Sequence, residues 1–190
     1  MRYKMPNSQP EINRGRRRLL QGMVCAMPGL LMARPVTGLA AVSEQRRLTF
    51  HHTHTNEKLS IDYFAGHRYL TEALQKVNYF LRDFRTGDKY PMDPQLLDIL
   101  YSVQQATGNH GTFEIISGYR SPATNEKLRR RSSGVAKHSL HMQGRAVDIR
   151  LTDVSIDAIR HAAIDLKSGG VGIYRRSNFV HLDTGRFRTW

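Results

Sequence analysis

The stretch HMQGRAVD, residues 141–148, decides how this sequence folds, and it has a counterpart in FVHLD, residues 179–183. Residues 145–151 alternate in polarity and include β-branched side chains, which predicts a half-buried strand. Residues 179–183 alternate in the same way and predict a second strand. Two neighbouring strands would then bring Asp148 and His181 to one point.

Two imidazoles and one carboxylate form a donor set that suits zinc. His141, Asp148 and His181 would occupy three corners of a tetrahedron, with water at the fourth corner. Zinc with three protein ligands lowers the pKa of its bound water to about 7 and polarises a carbonyl group. The spacing of His141 and Asp148 is weak evidence by itself, because most histidines are surface or hydrogen-bonded residues and such a pair occurs by chance in many chains.

The N-terminal segment has the features of an export signal. Arginines and leucines at residues 16–20 precede a moderately apolar run at 22–41, and the small residues Gly38-Leu39-Ala40 end it. The paired arginines before two leucines indicate the twin-arginine type, which carries folded proteins across the bacterial inner membrane. We therefore expect a signal at residues 1–40, the twin-arginine export machinery as a partner and a periplasmic location.

Pro28, Arg34 and Pro35 interrupt this apolar run. They do so before it reaches the ~20 apolar residues that a membrane span requires. We expect no stable membrane span, although an uncleaved anchor remains an alternative.

The remaining residues, 41–190, are basic and contain no cysteine. They hold 22 of the 29 Lys and Arg residues and 15 of the 16 Asp and Glu residues, a net charge of +7. Cys25 is the only cysteine, so a disulfide, a cysteine nucleophile and a cysteine metal site are excluded from this part. A basic exported protein suits a polyanionic matrix such as peptidoglycan with its free carboxylates. Nucleic acid is the competing partner, but Arg129–Arg131 is interpreted as a solvated helix end, and no nucleic acid is expected.

Hydrophobic periodicity predicts one α+β domain of about 150 residues. Its sheet is small and mainly antiparallel, carries the zinc site, and has helices packed on the other face. His51, His52 and His54 are interpreted as an exposed strand face and are not assigned to a metal. The expected elements are a β-hairpin within residues 48–64, helices at 70–81, from 94 to about 103, up to 128 and from 155 to 168, and further strands at 113–117 and 171–174.

A second informative stretch is SGYRSP, residues 117–122, at the end of a predicted strand. Arg120 would present a planar fork of N–H donors to a carboxylate or to a developing oxyanion. The simpler alternative is that Arg120 caps a helix or pairs with a surface acid.

These motifs, taken in order, resemble the zinc peptidases of the D-alanyl-D-alanine carboxypeptidase and dipeptidase group, which is related to the hedgehog signalling domain. The likeness runs over residues 47–190, and within the group the chain most resembles the murein endopeptidases. The resemblance implies that His141, Asp148 and His181 bind zinc and that Arg120 steadies the tetrahedral intermediate. It also implies that the substrates are peptidoglycan cross-bridge peptides.

The chain departs from this group at the general base. Carboxypeptidase and dipeptidase relatives place a glutamate three residues before the last zinc histidine, and here that position is Asn178. Asp183, on the same strand face as His181, is the nearest carboxylate and is predicted to be the catalytic base. It is an equally good candidate for a partner that fixes the tautomer of His181. His138 is a further candidate for the base.

The leading hypothesis is a zinc metallopeptidase domain at residues 41–190 that hydrolyses peptide cross-links of murein. The resemblance favours the bond between two diaminopimelate residues, alone or together with the bond between D-alanine and diaminopimelate. The missing glutamate suggests an alternative, a catalytically inactive peptidoglycan-binding module with a structural zinc. A basic exported nucleic-acid binder is the third hypothesis.

Overall fold

The computed structural model describes residues 44–132 and 134–190. The predicted export signal at residues 1–40 and Cys25 lie outside the described residues. Within them, none of the helices has the length and apolar character needed to cross a bilayer.

The described residues form four α-helices, two short 3₁₀ helices and a sheet of eight strands. The predicted hairpin, four helices and four further strands are all present, whereas the two-residue strands and the 3₁₀ helices were not predicted. The elements are β1 (Gln45–His52), β2 (Lys58–Ala65), β3 (Arg68–Tyr69), α1 (Thr71–Phe80), α2 (Pro94–Thr107), β4 (Phe113–Ser117), α3 (Pro122–Arg131), a 3₁₀ helix (Leu140–Gln143), β5 (Ala146–Leu151), α4 (Ile156–Leu166), β6 (Gly170–Tyr174), a 3₁₀ helix (Arg175–Ser177), β7 (Phe179–Asp183) and β8 (Arg188–Thr189).

Helices α2 and α4 begin where the sequence places a capping side chain. The carboxylate of Asp93 accepts the backbone N–H of Gln95, and Pro94 takes the first helical position, where no N–H is needed. The hydroxyl of Ser155 accepts the N–H of Ala158 at the start of α4. Both predicted starts are confirmed.

The strand order across the sheet is β3-β2-β1-β4-β5-β7-β6-β8. Only β1 with β4 and β6 with β8 pair in parallel, so the sheet is mixed and mainly antiparallel. Strand β7 lies between β5 and β6, and His181 pairs with Asp148 on one side and Gly172 on the other. The predicted neighbouring strands are therefore confirmed, and they place the two side chains on one face of the sheet.

Strand β5 differs from the prediction because it is buried on both faces. Ala146, Val147, Asp148 and Ile149 are all buried. One face packs on the hydrophobic core, and the other faces the ligand cluster described below. Period-two alternation indicates which residues share a face, but it does not show whether the polar face meets solvent.

The hydrophobic core lies between the sheet and helices α1, α2 and α4. Phe50, Tyr63 and Phe113 are its largest fully buried side chains, and each contributes ~1.5–3 kcal/mol by leaving water. Helix α3 lies elsewhere, because its Leu128 lines the cavity above the ligand cluster. The core thus holds the back of the sheet rigid and leaves the opposite face for the site.

His52 belongs to this core, and its assignment to an exposed strand face was wrong. It is 1% exposed and follows Leu48 and Phe50 on the buried face of β1. Its ring packs edge-on against Phe80 and Phe84, with ring centroids 6.0 and 5.4 Å away. The same alternation that buries Leu48 and Phe50 carries His52 inward.

Candidate metal centre

The structure brings together all three predicted metal ligands. His141 Nε2 lies 3.2 Å from Asp148 Oδ1 and 3.2 Å from His181 Nδ1, and the last two atoms are 2.9 Å apart. All three residues are buried. For tetrahedral zinc with bonds of ~2.0–2.1 Å, ligand atoms are about 3.3 Å apart, so this triangle has nearly the required size.

Hydrogen bonds fix which imidazole nitrogen of each histidine faces the centre of the triangle. Nδ1 of His141 is 2.7 Å from the carbonyl oxygen of Gly118 and donates its hydrogen there. Nε2 of His181 is 3.0 Å from Asp183 and donates to that carboxylate. The inward nitrogens, Nε2 of His141 and Nδ1 of His181, therefore present lone pairs.

These residues fit a metal ion. Two imidazole lone pairs and a carboxylate oxygen converge on one buried point, and such an arrangement is stable only when a positive charge lies between the three atoms. The outward N–H groups are held as in known metal sites, where a carbonyl or carboxylate orients each imidazole.

Local structure explains how His141 reaches this point. The hydroxyl of Ser139 caps the 3₁₀ helix by accepting the N–H of His141. Gly144 ends the helix with φ +66°, and a Cβ there would lie 2.1 Å from the carbonyl oxygen of Pro91. Only glycine suits that position, which lets the chain turn directly from His141 into the strand of Asp148.

Arg120 contacts the ligand set rather than a helix end or a surface acid. Its guanidinium forms an ion pair with Oδ2 of Asp148, the oxygen that points away from the histidines, and Nε donates to Ser117 Oγ at 2.8 Å. Its backbone N–H donates to the carbonyl of His141 at 3.2 Å. Arg120 also lines the cavity above the ligands, where a planar cationic donor can contact a bound carbonyl oxygen.

Asp183 lies behind His181, on the side away from the ligand triangle. It is 0% exposed, and besides His181 its carboxylate accepts N–H groups from Gly170 at 3.1 Å, Gly185 at 2.8 Å and Arg188 at 3.0 and 2.7 Å. A Cβ at Gly170 would lie 2.4 Å from Asp183, so glycine is needed for this close approach. Asp183 does not line the cavity. Its position behind the ring is that of a residue that orients His181.

The charges of the cluster reinforce one another. Burial lowers the pKa of His141. Burial alone would raise the pKa of Asp148, but His141, His181 and the neighbouring arginine hold it well below its ordinary value. Burial also opposes the charged form of His181, yet the neighbouring carboxylates of Asp148 and Asp183 raise its pKa. Asp148 is thus ionised, as a carboxylate that binds a cation must be.

A cavity of about 580 Å³ opens over the three ligands. Its walls come from α3, from the loop before the 3₁₀ helix at 140–143, from the segment joining β6 to β7 and from the C-terminus. This volume suits a peptide-sized ligand. The residues that line these walls include Leu128, Val135, His138, Tyr174, Phe179 and Trp190.

Three cavity residues carry functional potential that the sequence did not reveal. The ring of Trp190 lies 5.3 Å from that of His181, and Arg85 and His54 line the opposite wall. In the structure a Cβ at Gly172 would lie 2.5 Å from the indole of Trp190, a proximity that the sequence alone does not show. Arg85 stands in a loop without any motif, so no sequence signal identifies it.

An α+β domain whose central strands and adjoining 3₁₀ helix present a buried His–Asp–His set to an open cavity has the architecture of a metallopeptidase. Comparison with known proteins specifies the family. A family model described as peptidoglycan L,D-endopeptidase MepK matches residues 40–190. This chain belongs to that family, which confirms the resemblance inferred from the motifs.

Individual relatives are similar over most of their length. Peptidoglycan L,D-endopeptidase MepK of Escherichia coli is 41% identical over 175 residues, which cover 92% of this chain and 96% of the relative. The protein of that name in Shigella flexneri gives the same values. A probable peptidoglycan L,D-endopeptidase MepK of Haemophilus influenzae is 38% identical over 161 residues, 84% of this chain and 87% of the relative. No solved structure matches the chain significantly.

Proposed function

We propose that this protein is a zinc-dependent endopeptidase that hydrolyses peptide cross-links in peptidoglycan. The observation that carries the proposal is the convergence of His141, Asp148 and His181 on one buried point beneath a peptide-sized cavity. Two nitrogen donors and one oxygen donor with an open side suit catalytic zinc. Family membership supports the reaction, because the relatives are named as peptidoglycan L,D-endopeptidases.

The metal would supply an activated water and polarise the scissile carbonyl. Around it, Arg120 holds Oδ2 of Asp148, so that Oδ1 faces the histidines. The rest of its guanidinium donates to the oxyanion that forms when the peptide carbonyl is attacked. Arg120 therefore has two tasks, orienting a ligand and stabilising negative charge.

Asp183 orients His181 in this proposal and does not take the proton. Its carboxylate already accepts five N–H groups, and it does not line the cavity. His138 does line the cavity, three residues before His141, and we propose it as the proton acceptor. Replacing His138 by Gln should lower turnover at saturating zinc and leave metal content unchanged.

The bond cleaved is proposed to be the one between two diaminopimelate residues. That bond joins an L-centre to a D-centre, which fits the L,D in the names of the relatives. The bond between D-alanine and diaminopimelate joins two D-centres and serves as the contrasting substrate.

Export to the periplasm is part of the proposal. The basic and apolar composition of residues 1–40 supports a twin-arginine signal. Residues 41–190 would then be the mature zinc metallopeptidase domain, and the twin-arginine machinery would be its export partner. A periplasmic location gives the enzyme access to peptidoglycan.

The test is to incubate the purified protein with muropeptide dimers of each cross-link type and to identify the products by mass spectrometry. Zinc-dependent cleavage of the L,D-linked dimer, stopped by a chelator and absent in His181→Ala, is expected. Dimers of both types that remain intact in the presence of zinc would refute the enzyme.

A second candidate function is a catalytically inactive wall-binding module. Asn178 favours it, because this residue replaces the expected glutamate, is exposed and adopts the left-handed conformation with φ +52°, which asparagine tolerates well. Binding of the dimers without cleavage, at unchanged zinc content, would select this alternative.

A further inference from the structure

The cavity over the metal ligands is lined by cations and by almost no acids. Three arginines line it, and Asp148 is the one carboxylate among the described lining residues. Two of the arginines are paired, Arg120 with Asp148 and Arg188 with Asp183. The third, Arg85, forms no side-chain ion pair with any described residue. The cavity therefore contains one arginine that is not engaged in a side-chain ion pair, and the acid whose charge acts on it is the buried Asp83.

The side chain of Arg85 is nevertheless held in place. Its guanidinium carbon lies 4.1 Å from the ring centroid of Phe84, and that ring stacks on His54 with centroids 4.2 Å apart. His54 also lines the cavity. Stacking on an aromatic face restrains a guanidinium and leaves its N–H fork free for a ligand.

The backbone of Arg85 is tied to the segment that carries Arg120. Asp83 is buried, and one of its oxygens accepts the N–H of Arg85 at 3.0 Å. The other oxygen accepts the N–H and the hydroxyl of Ser121, at 2.9 and 2.8 Å. Burial would raise the pKa of Asp83, but hydrogen bonds from Thr124 and Ser121 lower it, so this anchor stays ionised. Arg85 and Arg120 are thus positioned by one buried carboxylate.

We propose that Arg85 binds a free carboxylate of the peptide that occupies the cavity and so determines specificity for acidic stem peptides. The inference rests on the proposed function, because diaminopimelate and glutamate in those peptides carry carboxylates that are not part of the scissile bond. A guanidinium matches a carboxylate with two parallel hydrogen bonds. A second cation beside Arg120 also raises the local concentration of anionic substrate.

The test compares Arg85→Gln with a matched control, Lys89→Gln. Lys89 lies in the same loop, 5.2 Å from the ring of Tyr79, and does not line the cavity. The probe is the stem tripeptide L-alanyl-γ-D-glutamyl-diaminopimelate, used with free carboxylates and with its carboxylates converted to amides. Its binding to the zinc-loaded full chain is measured by calorimetry, and thermal unfolding checks that each variant folds.

Arg85→Gln should weaken binding of the acidic tripeptide about ten-fold, the scale of one charge-assisted hydrogen bond. It should leave binding of the amidated tripeptide unchanged, and Lys89→Gln should leave both unchanged. Equal binding of the acid by Arg85→Gln and wild type would overturn the proposal. An equal loss for acid and amide, or an equal loss in Lys89→Gln, would overturn it as well.

Cleavage assays separate this inference from the proposed function. A wild-type protein that binds the tripeptide through Arg85 but leaves dimers intact would refute hydrolysis and retain the carboxylate site. If the wild-type protein and Arg85→Gln both cleave dimers with the same KM, the carboxylate site is refuted and the proposed hydrolysis is not.

Discussion

The substitution Asp183→Asn distinguishes a residue that orients His181 from a residue that takes a proton. Asparagine has nearly the shape of aspartate but carries one acceptor oxygen and one NH₂ group. In the structure one oxygen of Asp183 accepts Gly170, Gly185 and Arg188, and the other accepts His181 and Arg188. Whichever way the amide turns, its NH₂ group faces at least two N–H donors.

The magnitude follows from these contacts. Each buried donor that loses its acceptor costs about 1–3 kcal/mol, so the loss of two should lower the free energy of unfolding by about 2–6 kcal/mol. His181 also loses the carboxylate that fixes its tautomer and keeps at best a neutral amide oxygen as acceptor. Losses of this kind lower metal affinity by about 10–100-fold. Turnover at saturating zinc should fall much less than metal affinity, because the proton acceptor is a different residue.

Three measurements on the same variant test this reasoning: zinc affinity by competition with a chromophoric chelator, stability by denaturant unfolding, and turnover of dimers at saturating zinc. Asp157→Asn is the matched control, because Asp157 forms a two-point ion pair with Arg175 on the surface, at 2.6 and 2.7 Å. The control removes a carboxylate from an arginine without touching the metal site, and all three quantities should stay near the wild-type values.

The reasoning fails if Asp183→Asn keeps wild-type zinc affinity and stability but loses turnover at saturating zinc. That result would make Asp183 the base. Wild-type values for all three quantities would instead show that the hydrogen bond to His181 has no function.

Three further predictions concern Arg120, Gly172 and His52. Arg120→Lys keeps the charge but loses the planar fork, so kcat should fall about 100-fold. Zinc content is measured by atomic absorption, and an unchanged kcat would contradict the role of Arg120 in stabilising the oxyanion. Gly172→Ala places a Cβ 2.5 Å from the ring of Trp190, the single tryptophan, and should move it away from His181; a change in indole emission is expected, and an unchanged spectrum would contradict it. Burial lowers the pKa of His52 to about 4, so the folded state takes up its proton less readily than the unfolded state, whose pKa is about 6.5. His52 therefore has no effect on the free energy of unfolding above pH 6.5, and it lowers that free energy by up to about 3 kcal/mol as the pH falls towards 4. Replacing His52 by Asn should make the free energy of unfolding, measured with denaturant, depend less steeply on pH in this range. An unchanged pH dependence would assign the effect to other groups.

The ligand set could be predicted from sequence because strand periodicity encodes it. The ligands Asp148 on β5 and His181 on β7 point to the same face of the sheet, and the antiparallel pairing of these strands places them side by side. His141 follows from its short distance along the chain, through a 3₁₀ helix that ends at Gly144. Local patterns were sufficient for each of these steps.

Residues that depend on long-range packing could not be predicted. Arg85 reaches the cavity because Asp83 binds Ser121, 38 residues away, and no periodicity records that contact. Trp190 reaches His181 because β8 pairs in parallel with β6 at the edge of the sheet. The burial of His52 was predictable, because it follows Leu48 and Phe50 at every second position, on the face of β1 that points into the core.

The proton acceptor shows why a shared strand face is too coarse a criterion for a chemical role. Residues two apart on a strand are separated by about 6.6–6.8 Å, so a carboxylate two positions from His181 meets the far nitrogen of the ring and not the metal side. Among the described cavity residues, Tyr174 already accepts the indole N–H of Trp190, and His54 is stacked on Phe84. His138 remains as the imidazole of the cavity wall without such a partner, at the end of a loop whose direction no sequence pattern specifies. Its replacement should therefore separate turnover from zinc retention, whereas replacement of Asp183 should lower zinc affinity first.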